Sequence, residues 1–268
     1  MKAVILARGL GTRMRTADAG AALDAGQAQV ADQGIKAMIP VGRPFLDFVL
    51  SGLADAGFAE IGLVIGPEHG VIRERYARDV ILTRVHLTYV IQPEPRGTAD
   101  AVTYLEDFAA GEHFLVMNGD NYYPVEVLAA LGKLAEPGLA AFGRAALVAD
   151  GMIPAERIAQ YALLAIGADG YLRRIVEKPT PETAAAFGAD PFVSMNVWVF
   201  GPQFFRACHE VPPSARGEYE IPLAVQWAID HHGLRARALP FHLPVLDLSR
   251  RGDVARVTER LRGIAVRL

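Results

Sequence analysis

Ala7-Arg8-Gly9-Leu10-Gly11-Thr12-Arg13 closes the first apolar run of the chain, and its chemistry is that of a phosphate cradle. Glycines let backbone N–H groups approach an anion without a Cβ in the way, and Arg13 adds a charge that cannot be switched off. Glycines at a strand-to-helix turn also serve purely steric ends, and this spacing is neither a Walker sequence nor a G-x-G-x-x-G pattern. Further on, Gly34-Ile35-Lys36-Ala37-Met38-Ile39-Pro40 sets a lysine inside an apolar stretch. Such a lysine either has an anionic partner or snorkels at a sheet edge. Gln92-Pro93-Glu94-Pro95-Arg96-Gly97-Thr98 follows another apolar run and reads as a rigid loop opening a helix, with Thr98 as its N-cap. Gln92 can offer both a donor and an acceptor to a base edge.

Three acidic positions complete the chemistry. Asn118-Gly119-Asp120-Asn121 comes directly after the apolar run Phe114 to Met117, so the Asp120 carboxylate should emerge at a sheet edge. A hard cation such as Mg²⁺ wants carboxylate oxygens plus substrate phosphates, although Asn-Gly-Asp is also an ordinary turn. Glu177 and Lys178 are adjacent at the end of a hairpin and point in opposite directions if the backbone is extended. Asp247 sits alone in Val245-Leu246-Asp247-Leu248, a costly position unless a metal or a helix N-terminus satisfies it.

The elements that must hold these residues follow from periodicity. Ala3 to Leu6 is a continuous apolar run, the mark of a strand buried on both faces. Similar runs recur at Ile61 to Ile65, Leu87 to Ile91 and Phe114 to Met117, separated by helical spacing such as Phe45 to Leu53. That alternation predicts an α/β fold with a doubly wound, mostly parallel sheet. After about residue 139 the rhythm changes: Tyr161 to Ile166 and Leu172 to Val176 flank the turn Ala168-Asp169-Gly170, and Phe192 to Phe200 is a further strand. Ile221 to Ile229 and Asp253 to Leu261 have helical spacing. Thr16 to Gly34, rich in Ala, Gly, Asp and Gln, reads as a mobile loop or marginal helix, either a lid or a tolerated insertion.

Bulk properties exclude several classes. The 268 residues carry a net charge of −3 and no run of Lys and Arg, so a nucleic-acid partner is not expected. One cysteine, Cys208, permits neither an internal disulfide nor a thiolate metal cluster and reads as a packed thiol. Seven histidines show no zinc spacing. The His231-His232 pair before Gly233 reads as charge complementing a helix C-terminus. The first apolar run is broken by Arg8 and Gly9, and no uncharged stretch is long enough to span a bilayer, so a cytoplasmic protein without a membrane partner is expected.

Together these clusters resemble the sugar-1-phosphate nucleotidyltransferases, typified by glucose-1-phosphate thymidylyltransferases, uridylyltransferases and mannose-1-phosphate guanylyltransferases. Leu6 to Met14 matches the opening signature, Lys36 to Pro40 with Pro44 the lysine-proline segment, and Gln92, Pro95 and Gly97 the base-recognition loop. Gly119-Asp120 matches the first metal site, Glu177-Lys178-Pro179 the sugar-phosphate motif, and Asp247 the second metal carboxylate. Gly217 to Pro222 is a further family-like segment. The resemblance implies a Rossmann-like mixed sheet flanked by helices, with an antiparallel sugar-binding subregion. It also implies one nucleotidyltransferase domain over residues 1–268, with a nucleotide-binding half at 1–138 and a sugar-phosphate half at 139–268.

By that resemblance a nucleoside triphosphate and a sugar-1-phosphate give a nucleotide sugar and pyrophosphate, with Mg²⁺ on Asp120 and Asp247. Arg13 then holds the leaving pyrophosphate and Lys36 the α- and β-phosphates. Leu6, Ala7, Gly9, Gly11, Thr12, Gln92, Gly97 and Thr98 bind the nucleotide, Lys178 the sugar phosphate, and Glu177 with Asn196 the sugar hydroxyls. Base, sugar and oligomeric state stay open, a homo-oligomer included. Two positions depart from the pattern: Arg8 replaces a small residue, as a phosphate contact or a solvent-facing side chain, and Ser249 stands where glycine is commoner. Two other readings remain. Tyr122, Tyr123 and Trp198 could box phosphocholine in a cytidylyltransferase, or the chain could be a regulatory subunit that binds nucleotide without turnover.

Overall fold

Along β1 (Lys2–Leu6), Ala3 and Ile5 enter one apolar core and Val4 and Leu6 the other, so the strand is buried on both faces as its unbroken apolar run requires. The computed structural model describes residues 1–149 and 153–268. β1 lies between β2 (Glu60–Ile65) and β4 (Phe114–Asn118), and β3 (His86–Ile91) flanks β2, all parallel. A short ribbon strand, β5 (Asn121–Tyr122), follows β4.

The second half adds the expected antiparallel pieces. β9 (Phe192–Phe200) runs antiparallel to both β4 and β6 (Gly138–Gly143), and β10 (Arg237–Phe241) closes that edge parallel to β6. The hairpin of β7 (Ala162–Ile166) and β8 (Leu172–Val176) branches from β9, its turn carrying Gly170 at φ 79°. The resulting nine-stranded sheet has the order β10-β6-β9-β4-β1-β2-β3 plus the hairpin. From β1 the chain first moves to β2 and β3 on one side and then returns to β4 on the other. That reversal opens a crevice beyond the carboxyl ends of β1 and β4, where open α/β sheets bind ligands.

Helices cover both faces. Phe45–Asp55, buried along Phe45 to Leu53, packs on the Ala3/Ile5 side. Phe204–Glu210 and Ile221–His232 cover the other, against Phe114, Trp198 and Phe200. The latter helix ends at Gly233 (φ 65°) with both histidines in its last turn, and Cys208 is a buried thiol whose pKa burial drives up. Ala25–Gln33 is a short helix with an Asp24–Gln27 capping box, which gives the Ala- and Gln-rich segment its one ordered element. No helix of the described residues is long and apolar enough to cross a membrane.

One expected cap is misplaced. The Thr98–Thr103 helix starts from Gly97 without a side-chain cap, and the Thr98 hydroxyl instead accepts from the Ile221 N–H. Thr98 thus caps the Ile221–His232 helix from outside, because the Gly217–Glu220 segment lies against the 96–99 loop. Tyr219 accepts from Ala99 N–H and donates to the Arg96 carbonyl. Gly97 allows this approach, since a Cβ there would stand 2.3 Å from the Tyr219 oxygen.

Candidate active site

Glycine geometry sets the floor of the site. Gly11, at φ 62°, lets the turn after β1 press against the end of the Ala25–Gln33 helix, where a Cβ would meet the Gly34 carbonyl oxygen at 2.1 Å. This contact brings the Lys36 segment alongside the turn. The Lys36 ammonium ion-pairs with Asp120 Oδ2 at 2.6 Å, and both side chains are largely buried. The anionic partner is therefore real, and the snorkelling alternative falls.

The two acidic residues meet. β5 pairs antiparallel with β11 (Leu246–Asp247), in the register Tyr122 with Leu246 and Asn121 with Asp247, and the Leu248 N–H donates to the Asp120 carbonyl at 2.9 Å. Asp247 is 4% exposed, and a cation and three neutral donors, not a helix N-terminus, satisfy it within the chain. Oδ1 accepts from Ser249 Oγ (2.8 Å) and Asn121 Nδ2 (3.2 Å), and Oδ2 from Tyr161 Oη (2.8 Å) and the Arg157 guanidinium. Four donors fill the four lone-pair positions of a carboxylate. Burial and the nearby Asp120 charge push the Asp247 pKa up, while Arg157 and the Tyr161 hydrogen bond pull it back; the net direction is upward.

Arg157 also donates to Asp253 at 2.6 Å and so bridges two buried carboxylates. Burial alone would lower its pKa, but Asp247 and Asp253 outweigh it and the guanidinium is held charged. The Ser249 position, unusual in the sequence, now has a role as a donor to Asp247.

Lys178 and Asn196 are placed by backbone irregularity. Lys178 has φ 47°, so the chain is not extended there and the expected opposition with Glu177 does not occur; Lys178 Nζ lies 3.4 Å from Glu177 Oε1 and 3.9 Å from Glu220 Oε1. Burial raises the Glu177 pKa, with Lys178 pulling against it. Asn196, at φ 58°, sits where the β6–β9 register shifts, a bulge that turns its side chain toward the site.

The site residues expected from the sequence all line one cavity of about 370 Å³. Leu6, Ala7, Gly9, Gly11, Thr12 and Arg13 come from the turn, Gln92, Gly97 and Thr98 from the loop after β3, and Lys36, Asp120, Glu177, Lys178, Asn196 and Asp247 complete it. A neighbouring groove of about 440 Å³ holds Arg8, Glu68 and His69, but of the expected site residues only Gly9. Among the described residues no cluster of three His, Cys, Asp or Glu could hold a metal. The donor set fits a hard cation that takes its remaining ligands from phosphates: Asp120 Oδ1 has no hydrogen bond among the described residues, whereas Asp247 must release a donor.

A family model described as Nucleotidyl transferase matches residues 2–240. The chain belongs to that family. It is similar to the low-salt glycan biosynthesis nucleotidyltransferase Agl11 of Haloferax volcanii, 29% identical over 240 residues that cover 87% of this chain and 60% of Agl11. The UTP–glucose-1-phosphate uridylyltransferase AglF of the same organism is 30% identical, covering 85% of this chain and 84% of AglF. A glucose-1-phosphate thymidylyltransferase of Streptomyces antibioticus is 27% identical, and the chain spans 58% of its length. The crystal structure of a UDP-glucose pyrophosphorylase complexed with UDP-glucose shares the fold, with a TM-score of 0.74 at 18% identity over 97% of both chains.

Within this nucleotidyl transferase, sequence reasoning missed Arg157 and Tyr161, and it gave no role to Glu218 and Glu220, which line the cavity beside Arg216. Ala155-Glu156-Arg157 has the composition of an exposed turn, so nothing local marks Arg157 as buried. Arg8 is buried, not solvent-facing. Its guanidinium pairs with Glu68 at 2.7 Å and donates to the carbonyls of Gln92 and Pro93. The aromatic box is also corrected: Tyr123 and Trp198 are core residues, and none of the three aromatic side chains lines the cavity.

Proposed function

We propose that this chain transfers a nucleotidyl group from a nucleoside triphosphate to a sugar-1-phosphate, releasing pyrophosphate, in the cytoplasm and as one nucleotidyltransferase domain. A single observation carries the reading. One crevice at the sheet's reversal point gathers a glycine turn, the Lys36–Asp120 pair and the Glu177–Lys178 pair. Two cationic side chains from different motifs, Lys36 and Lys178, suit two phosphorylated substrates.

In the reaction a sugar-phosphate oxygen forms a bond to the α-phosphorus while the α–β phosphoanhydride bond breaks, its electron pair leaving on pyrophosphate. The nucleophile is already an anion, so no side chain must remove a proton. The work left to the protein is to gather repelling anions and stabilise charge spreading over the transferred group. Arg13 and the N–H groups of the turn hold the leaving pyrophosphate, and Lys36 the α- and β-oxygens. Lys178 neutralises the incoming phosphate, and Glu177 and Asn196 bind sugar hydroxyls. Gln92 addresses the base. Mg²⁺, held by Asp120 and Asp247, supplies charge neutralisation for the phosphates when bound. Thr98 serves the nucleotide side indirectly, by joining the base loop to the Ile221–His232 helix.

The test is a matrix of the nucleoside triphosphates against common sugar-1-phosphates and phosphocholine, scored by pyrophosphate release with and without Mg²⁺. Release that needs a sugar phosphate and vanishes in Asp120→Ala is the expected result. Nucleotide binding without release in any combination would leave a regulatory subunit instead.

A further inference from the structure

Arg8 is 7% exposed and lies at the seam between two cavities, with its guanidinium engaged by protein acceptors. Its Nε donates to the Gln92 carbonyl at 3.1 Å, its Nη2 to the Pro93 carbonyl at 3.3 Å, and its Nη1 pairs with Glu68 at 2.7 Å. Gln92 and Pro93 follow β3, whereas Arg8 follows β1, and β2 stands between those strands. The side chain can cross because the residue that follows β2 on that line is Gly66. A Cβ at Gly66 would lie 2.5 Å from Arg8 Nε and 2.7 Å from its Cζ.

Gln92 is thereby fixed at both ends. Its side-chain amide donates to Asp100 Oδ2 at 2.6 Å and to the Gly97 carbonyl at 3.2 Å. Both partners accept only, so the nitrogen must face them and Oε1 is left as the group free to meet a ligand. Asp100 sets which atom is presented, and Arg8 sets where the main chain carrying it stands.

We propose that Arg8 is a positioning residue for nucleotide selection, which holds the Gln92-Pro93 backbone through the gap left by Gly66 and so fixes the acceptor offered to the base. The inference rests on the reading of this crevice as a nucleotide site. It commits to a base that presents an N–H donor to Gln92 Oε1. Arg8 acts only through the loop and touches no substrate.

The experiment measures binding of UTP, dTTP, CTP, GTP and ATP by calorimetry to the wild type, Arg8→Ala, Gly66→Ala and the double variant, with steady-state kinetics for the preferred pair. Gly66→Ala leaves Arg8 in place but pushes its guanidinium, and the Glu68 carboxylate, off the crossing; both are ends of flexible side chains, so the backbone can stay. Each single variant is expected to weaken the preferred nucleotide about tenfold, the scale of lost charge-assisted hydrogen bonds. Each should also narrow the preference among bases and raise KM more than it lowers kcat. The double variant should be no worse than either single one, because both remove the same tether. Arg8→Lys, whose donors radiate from one nitrogen instead of the three that Arg8 uses, should recover only part of the loss.

Unchanged base preference in both single variants, or additive losses in the double one, would overturn the proposal even if melting temperatures fell. A wild type that binds nucleotide selectively but never releases pyrophosphate would sink the proposed reaction while leaving Arg8 to be judged by the affinities. A wild type that binds no nucleotide would end both.

Discussion

Arg157→Met removes the cation that bridges Asp247 and Asp253, and its cost can be worked from the structure. The arginine is 5% exposed and the two carboxylates 4% and 3%. Breaking a buried ion pair by deleting one partner costs about 3–5 kcal/mol, because the remaining charge stays buried without compensation. Two local facts favour the lower figure. Asp253 keeps the N–H groups of Ser249 and Arg250 and the Arg256 guanidinium, and Asp247 keeps three donors. Arg157 Nε is itself buried without a partner, so methionine also removes a penalty. With an unfolding entropy of about 2.1 cal/mol/K per residue, 268 residues give about 0.56 kcal/mol/K, and a loss of about 3 kcal/mol lowers the melting temperature by about 5 °C. Calorimetric melting of Arg157→Met and of Arg157→Met/Asp247→Asn measures it, the second variant recovering part of the loss because Asp247 is the carboxylate that loses its paired cation, whereas Asp253 keeps Arg256. An unchanged melting temperature in the single variant, or a further fall in the double one, refutes the reasoning.

Glu177→Gln should stabilise the free protein while raising KM for the sugar phosphate about tenfold or more, since a charged hydrogen-bond acceptor is lost. Burial sets the folded pKa of Glu177 above its unfolded value. The wild-type deficit is therefore full above the raised pKa and fades as pH falls toward the ordinary carboxylate range, so the two melting curves should differ at about pH 8 and converge by about pH 4. Ser249→Gly frees a lone pair on Asp247, and the Mg²⁺ concentration for half-maximal pyrophosphate release should fall; a rise would mean that the hydroxyl positions the carboxylate rather than competing for it. Thr98→Val deletes the acceptor for the Ile221 N–H and should cost about 1 kcal/mol, roughly 2 °C by the same entropy.

Strands β1 to β4 and β7 to β9 were legible as apolar runs of strand length, and their alternation with helical spacing made the sheet's carboxyl edge the expected place for Arg13, Gln92 and Asp120; β6, with its small residues Gly138, Ala140, Ala141 and Gly143, and β10, which carries Pro240, were not read as strands. That Lys36 needed an anion could be read from its apolar neighbours. Which anion could not, because the contact joins residues 84 positions apart. Asp247 showed the same limit more sharply: its isolation announced a missing partner, but Arg157 and Tyr161 arrive through the hairpin and its preceding turn, by packing that no local pattern encodes. Lys178 was misjudged in orientation because non-glycine residues rarely take positive φ, and a reading from propensity assumes extended backbone. Arg8 was visible only as an oddity, since its explanation depends on a glycine across a neighbouring strand.

The ribbon of β5 and β11 is only two residues on each strand. Drift in chain length is therefore unequal in its effects across this protein. The connection between Val176 and Leu246 can gain or lose surface loops while its strands and helices keep their seats. A one-residue slip inside the ribbon, however, would swing Asp247 to the opposite side of the pleat, away from Asp120. Deletion and insertion scanning should find this the least forgiving stretch of its size outside the core sheet.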